Sequence, residues 1–170
     1  VTHSNNPQGT RVITIISGGQ NGVDQAALEA AKELGIPTGG YMPKGFITLD
    51  GPRPEFAALY GTTETPSSQY PPRTFANAHR AEATLRLAWD FNTLGERATL
   101  IAITRFKRPF MDVNLHEPPE PDAVVDFILK HAPTTLNVAG NSNRTHPTTQ
   151  TVARQYLLKV FTRLTQRNQT

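Results

Sequence analysis

The sequence predicts an α/β fold, a mostly parallel sheet of about five strands with helices on both faces, and three observations predict it. Short apolar runs alternate with stretches of helical periodicity along the chain. The first such unit, Val12 to Leu34, joins a β-branched run to an amphipathic stretch through a glycine-rich turn. Two further polar turns, Asp90 to Gly95 and Gly140 to Arg144, stand at the same strand-to-helix junctions. Ligands of such sheets bind outside the carboxyl ends of the strands, so all three turns are expected at one edge.

The elements follow in order. Val12, Ile13, Thr14, Ile15 and Ile16 suit a strand buried on both faces. Ser17, Gly18, Gly19, Gln20, Asn21 and Gly22 let the backbone turn tightly. In the helix that follows, Val23, Ala26, Ala27, Ala30, Ala31 and Leu34 form one face, with Gln25, Glu29, Lys32 and Glu33 expected outward. Gly35 and Pro37 end it. A strand, a glycine turn and a helix N-terminus present free N–H groups and about half a positive charge, which suits an anion. The turn is neither the six-residue dinucleotide fingerprint nor a P-loop, and close helix–sheet packing would also call for its glycines.

Ile36 to Met42 forms a second strand, which places Lys44 beside its end and near the first turn; a plain surface lysine is the commoner role. Asp50 to Pro72 is proline-rich and aperiodic and reads as a long loop outside the sheet. Arg73 to Arg80 reads as a short helix with Arg73, Thr74 and Asn77 on one face; Arg73 either clamps an anion or pairs with a carboxylate. Ala83 to Trp89 is a third strand in which Arg86 is costly to bury. Glu96 to Phe106 is helical, and Phe110 to Leu115 is a fourth strand, poor in composition at Asp112 and Asn114. Asp122 is placed to cap a helix with Val124, Val125, Ile128 and Leu129 on its apolar side. Thr135 to Ala139 supplies a fifth strand, and Pro147 stands near the first turn of a last helix carrying Ala153, Tyr156, Leu157, Val160, Phe161 and Leu164. The candidate site is therefore Gly18 to Gly22, Lys44, the Thr93-Leu94-Gly95 turn and Asn141 to Arg144. One domain over residues 11–165 is expected, between a polar leader at 1–10 and a polar tail at 166–170.

Composition narrows the function. With 17 basic and 14 acidic residues the formal charge is +3, too mild to argue for nucleic acid. There is no cysteine, hence no disulfide, thiolate metal site or cysteine nucleophile. No apolar run reaches membrane-spanning length and no signal pattern is visible, so a cytoplasmic protein is expected. His3, His79, His116, His131 and His146 show no metal-ligand spacing.

Several ordered segments together resemble the putative molybdenum carrier family, the molybdenum cofactor carrier proteins. They are Ser17 to Asp24, Gly39-Gly40 with Pro43-Lys44-Gly45, Asp50-Gly51-Pro52 with Pro54, Glu64-Thr65 with Tyr70, Arg73-Thr74 with Asn77, Ala83-Thr84-Leu85, and Leu136 to Gly140. The resemblance runs from about residue 11 to 161. It implies a Rossmann-like three-layer fold of the superfamily that also holds the lysine-decarboxylase-like phosphoribohydrolases. It implies, too, a cytoplasmic homo-oligomer, tetramer or dimer, that binds the molybdenum cofactor (molybdopterin) and hands it to acceptor molybdenum enzymes, with no membrane or nucleic-acid partner. By position, the family's glycine loop maps to Gly18, Gly19, Gln20, Asn21 and Gly22 with Asp24 at the helix start, its lysine to Lys44, and its loop-to-helix residues to Arg73, Thr74 and Asn77. The chain departs from the family at Met42, at Ala81-Glu82 and at Leu94-Gly95-Glu96-Arg97.

Three functions are compatible with these residues. A carrier needs anion cradles and amide donors and no nucleophile, which the glycine turn, Lys44, Arg73, Asn77, Thr93, Gly95, Asn141 and Arg144 supply. A nucleotide phosphoribohydrolase would be expected to carry Pro-Gly-Gly-x-Gly-Thr-x-x-Glu; this chain has no such segment, and Glu96 after Gly95 is a distant echo of it. A nucleotide-sensing module is the third. The carrier is the reading the residues favour.

Overall fold

The computed structural model describes residues 12–169. The leader expected at 1–10 and the last residue of the tail lie outside the described residues. The chain runs β1 (Thr14–Ile16), α1 (Val23–Glu33), β2 (Thr38–Met42), β3 (Ile47–Thr48), β4 (Gly51–Pro52), α2 (Phe56–Tyr60), β5 (Thr62–Glu64) and α3 (Tyr70–Arg80). It continues through β6 (Ala83–Ala88), α4 (Leu94–Arg105), β7 (Phe110–Asn114), α5 (Pro121–His131), β8 (Thr135–Gly140) and α6 (Thr149–Arg167). Six strands form one sheet in the order β5-β2-β1-β8-β6-β7, and every pairing in it is parallel. β3 and β4 form a separate antiparallel hairpin.

The sheet is therefore one strand larger than expected. The sixth strand, β5, lies inside the stretch read as a loop, where three residues at a sheet edge are too few to show a period. The same stretch is anchored by α2, whose Phe56 and Tyr60 meet edge to face at 5.1 Å and pack with Leu28 and Met42. α3 begins at Tyr70, three residues before the expected start: Pro71 and Pro72 are accommodated in its first turn, where their missing N–H donors cost no intrahelical hydrogen bond. Glu120 stands at the cap position of α5 with Pro121 after it, so Asp122, expected as the cap, sits in the first turn. Pro147 precedes α6, and that helix continues through Arg167, past the expected end of the domain at 165.

Alternation along the central strands divides the sheet into two unlike faces. Leu85 and Leu87 of β6, with Leu136 and Val138 of β8, join α1, α5 and α6 in the main core. The intervening residues Thr84, Arg86 and Asn137 are buried too, but polar, and they face the α3–α4 layer. A core of that kind needs internal partners. Arg86 has them: Nε and Nη2 donate to the two carboxylate oxygens of Asp112 on β7 at 2.7 and 2.6 Å, in register across the strands. The two residues that looked misplaced in their strands thus account for each other.

The strand order reverses around β1 and β8, since the chain leaves β1 toward β2 and β5 but reaches β8 after β6 and β7 on the other side. A crevice opens at such a switch point.

Candidate functional site

At the carboxyl edge of β1 and β8 lies a cavity of about 490 Å³, within the range of small-ligand sites. Asn137 and Ala139 of β8 form its floor, Gly18 and Gln20 come from the turn after β1, and Asp24 from the first turn of α1. Tyr70, Arg73, Thr74 and Asn77 of α3 form one wall, with Thr93, Leu94, Gly95, Glu96 and Thr99 from the start of α4 as the other. Asn141, Ser142, Arg144 and Thr145 close it from the loop after β8, and Leu49 reaches in from the β3–β4 hairpin.

An ion pair crosses the cavity. Arg73 Nη1 donates to Asp24 Oδ2 at 2.8 Å, and the same oxygen accepts from Gln20 N–H at 3.2 Å. Gly18 leaves room for this pair, because a Cβ there would stand 1.6 Å from Arg73 Nη1 and would have to displace it. Burial raises the Asp24 carboxyl above its ordinary value, opposed by the Arg73 charge and the Gln20 amide. Arg73 therefore pairs with a carboxylate, the second of its two expected roles; it also lines the cavity, and its buried Nε has no hydrogen-bond partner.

Several of the amides expected to cradle an anion at the glycine turn are spent inside the protein. Asn21 N–H donates to Gln20 Oε1, Gly22 N–H to Gln150 Oε1 and Val23 N–H to Asn141 O. Gly22, at φ +94°, is needed for close approach, since its Cβ would meet Asn141 O at 2.3 Å. Gln25, expected outward, is buried with its amide donating to Gly19 O at 3.1 Å. Leu94 and Gly95 line the cavity from the first turn of α4, where their amides have no intrahelical acceptor.

Several expected residues serve as positioners. Asn77 exchanges both its amide bonds with the backbone of Tyr41 on β2, at 2.8 and 3.0 Å, fixing α3 to the sheet. Asn141 accepts from Trp89 and Asp90 N–H and donates to Asp90 O, which ties the loop after β8 to the turn after β6. Thr93 caps α4 by accepting from Glu96 N–H, and Gln20 Oε1 accepts Leu49 N–H at 2.8 Å. Thr74 is a lining residue whose hydroxyl donates to Tyr70 O.

Gly19, Asn21, Gly22 and Lys44 stand outside the lining. Lys44 is exposed on the turn after β2 with its amide donating to Ser67 O, and Asn21 braces the hairpin through Asp50 and accepts from Asn143 N–H. In the other direction, Glu96, Asn137, Tyr70 and Thr99 line the cavity but were not among the expected site residues, Glu96 being noted only as a motif echo and Tyr70 and Asn137 only within the family-like segments. The alternation of Thr84 and Arg86 with leucines was the available signal for a polar sheet face. Glu96 is 2% exposed and burial pushes its carboxyl up to about 8, with Arg86 opposing and the Asp24 and Asp112 charges reinforcing. Among the described residues, no group of three or more His, Cys, Asp or Glu is placed to hold a metal ion, and no helix is long and apolar enough to cross a membrane.

Fold and cleft together define a Rossmann-like α/β protein with a ligand-sized site at its switch point. The sequence model of the circularly permutated YpsA SLOG family matches residues 15–161, and the chain belongs to that family. Its structure is also similar to the solved structure of a protein named putative molybdenum carrier protein, from Syntrophus aciditrophicus SB. The TM-score is 0.79 and the identity 30%, over 88% of this chain and 95% of that one. Both findings agree with the family that the motifs resemble. No curated protein matches the sequence.

Proposed function

We propose that the cavity binds the molybdenum cofactor, and that the protein stores it, protects it and passes it to molybdenum enzymes without chemistry of its own. The observation that carries this reading is a half-buried guanidinium with an unused donor, the buried Arg73 Nε, on a ligand-sized cavity beside the N-terminus of a twelve-residue helix. A pterin bearing a phosphate and an oxo-metal group needs anion donors and an enclosed slot for a flat ring. Arg73, Arg144 and the Leu94 and Gly95 amides would hold the anionic groups, and the α4 dipole favours them there. The similarity to a protein named as a molybdenum carrier supports the choice of ligand.

The working form is a cytoplasmic homo-oligomer. Its support is a set of exposed apolar side chains, Ile101 at 60% and Leu100 at 38% on α4 and Phe110 at 41% on the edge strand β7. Ile101→Glu is expected to lower the mass seen by light scattering, and an unchanged mass would place the interface elsewhere.

A second reading, a nucleotide-binding enzyme of the phosphoribohydrolase type, draws on one observation, the presence of Glu96 in the cavity wall. Thermal melts with the cofactor and with adenosine monophosphate separate the two. A ligand at 100 times its Kd should stabilise the fold by about 2.7 kcal/mol, worth several degrees. A shift with the cofactor alone supports the carrier; a shift with the nucleotide alone overturns it.

A further inference from the structure

Glu96 is a carboxyl group that the protein itself leaves without a reason to be there. It is 2% exposed, it lines the cavity, and its Oε2 has no hydrogen-bond partner. The nearest cation, Arg86 Nη1, stands 3.7 Å from that oxygen, an ion-pair distance but beyond hydrogen bonding. Arg86 is committed elsewhere: Nε and Nη2 bind Asp112 as a fork, and Nη1 donates to the backbone carbonyl of Glu96 at 3.1 Å.

Charged groups bear on Glu96 from every side of the α3–α4 layer: Arg86 of β6, Asp112 of β7, Asp24 of α1 and Arg73 of α3. They form two closed pairs, Arg86 with Asp112 and Arg73 with Asp24. Each cation is already balanced by a carboxylate, so the surroundings present no spare positive charge to hold Glu96 ionised. A buried carboxyl in that position is stable as the neutral acid, which carries an O–H donor.

Resting on the reading of this cavity as a ligand site, we propose that Glu96 selects the ligand as a neutral hydrogen-bond donor. Its O–H meets a ring carbonyl or ring nitrogen of a heterocycle whose anionic tail is held by Arg144 and the unused Nε–H of Arg73. The site thus distinguishes a flat, acceptor-bearing ring joined to an anion from the anion alone. Glu96 contributes specificity at the ring, and the charged tail contributes affinity at the opposite wall.

The test uses the full chain, with the molybdenum cofactor and adenosine monophosphate as separate probes, titrated between pH 7 and 9.5, where a phosphate monoester stays dianionic. Wild type is expected to lose affinity by about tenfold per pH unit once past about 8, as the donor is ionised away. Glu96→Gln, which keeps an N–H donor and cannot ionise, should bind with little change over the same range. Glu96→Leu should bind at least about tenfold more weakly at pH 7 while melting as a folded protein, the scale of one lost hydrogen bond. Observed by NMR, the Glu96 carboxyl should titrate at higher pH with the bound probe than without it, a change that a purely structural acid would not show.

If a probe binds wild type and Glu96→Gln with the same pH dependence, or binds Glu96→Leu as tightly as wild type, the donor role is overturned and the cavity reading stands. If neither probe binds any of the three proteins, the cavity reading itself fails and the inference falls with it.

Discussion

At the scale of single residues, the site and its support hold two ion pairs, Arg73 with Asp24 and Arg86 with Asp112, whose partners cannot be altered independently, and one acid, Glu96, that stands apart. Arg73 and Asp24 are 14% and 4% exposed at their side chains, so removing one partner leaves a buried charge. Arg73→Ala should cost about 3 kcal/mol at pH 7, and chemical denaturation would measure it. Asp24→Asn added to Arg73→Ala should recover much of that loss, and a strictly additive double mutant would show that the pair is not coupled. The single mutant's deficit should shrink in acid, since protonating Asp24 removes the stranded charge.

Glu96 behaves differently because its proton is retained in the folded state up to about 8 against 4.5 for the free side chain. Between those values the folded state binds more protons than the unfolded chain, so this group's contribution is complete below about 4.5 and fades as pH rises toward about 8. Glu96→Gln should therefore gain on wild type by up to about 1.4 kcal/mol per pH unit across that window. Parallel stability curves for the two proteins would contradict the burial argument.

At the scale of elements, the first turn of α4 is where function and stability can be separated. A Cβ added at Gly95 would meet no heavy atom within 4 Å, whereas one at Gly18 would collide with Arg73. Gly95→Ala should leave the fold intact or stabilise it by about 0.5–1 kcal/mol. Gly95→Phe should keep the melting temperature but remove the shift produced by ligand, because the ring enters the cavity. Gly18→Ala should lower the melting temperature with or without ligand. If Gly95→Phe kept its ligand shift, α4 would not be a wall of the binding site.

The same elements show what was legible in the sequence. β1, α1 and the turn between them could be read from the β-branched run, the alanine face and the glycines, since each signal is local. β5 could not, because three residues on a sheet edge take their conformation from the neighbouring β2. Arg86 and Asp112 each counted against their own strands, although each is explained by the other across the sheet. Asn77 and Asn141 could be placed near the cavity they line but not read as braces, because their partners lie on Tyr41 and on Trp89 and Asp90, far away in sequence. Lys44 was placed near the site from its position after β2, but the chain turns it outward.

At the scale of the whole molecule, the cavity draws its walls from both halves of the sheet, which are joined only across β1 and β8. The glycine turn, α3 and the hairpin belong to the side of the sheet that ends in β5, while α4 and its turn belong to the side that ends in β7. A ligand seated there contacts both halves at once and should restrain them together, as binding to the native state alone requires. Amide exchange with and without saturating cofactor would show it. Protection is expected jointly in residues 18–24, 70–77, 93–99 and 141–145, with Leu49 in the hairpin following through its bond to Gln20. α5 lies on the opposite face of the sheet, packed on α6, and should exchange at the same rate in both states. Protection limited to one half would mean that the ligand sits on a single wall. Protection centred on α5 would place the binding site on the other face of the sheet, and the switch-point cavity would then have no claim to the function.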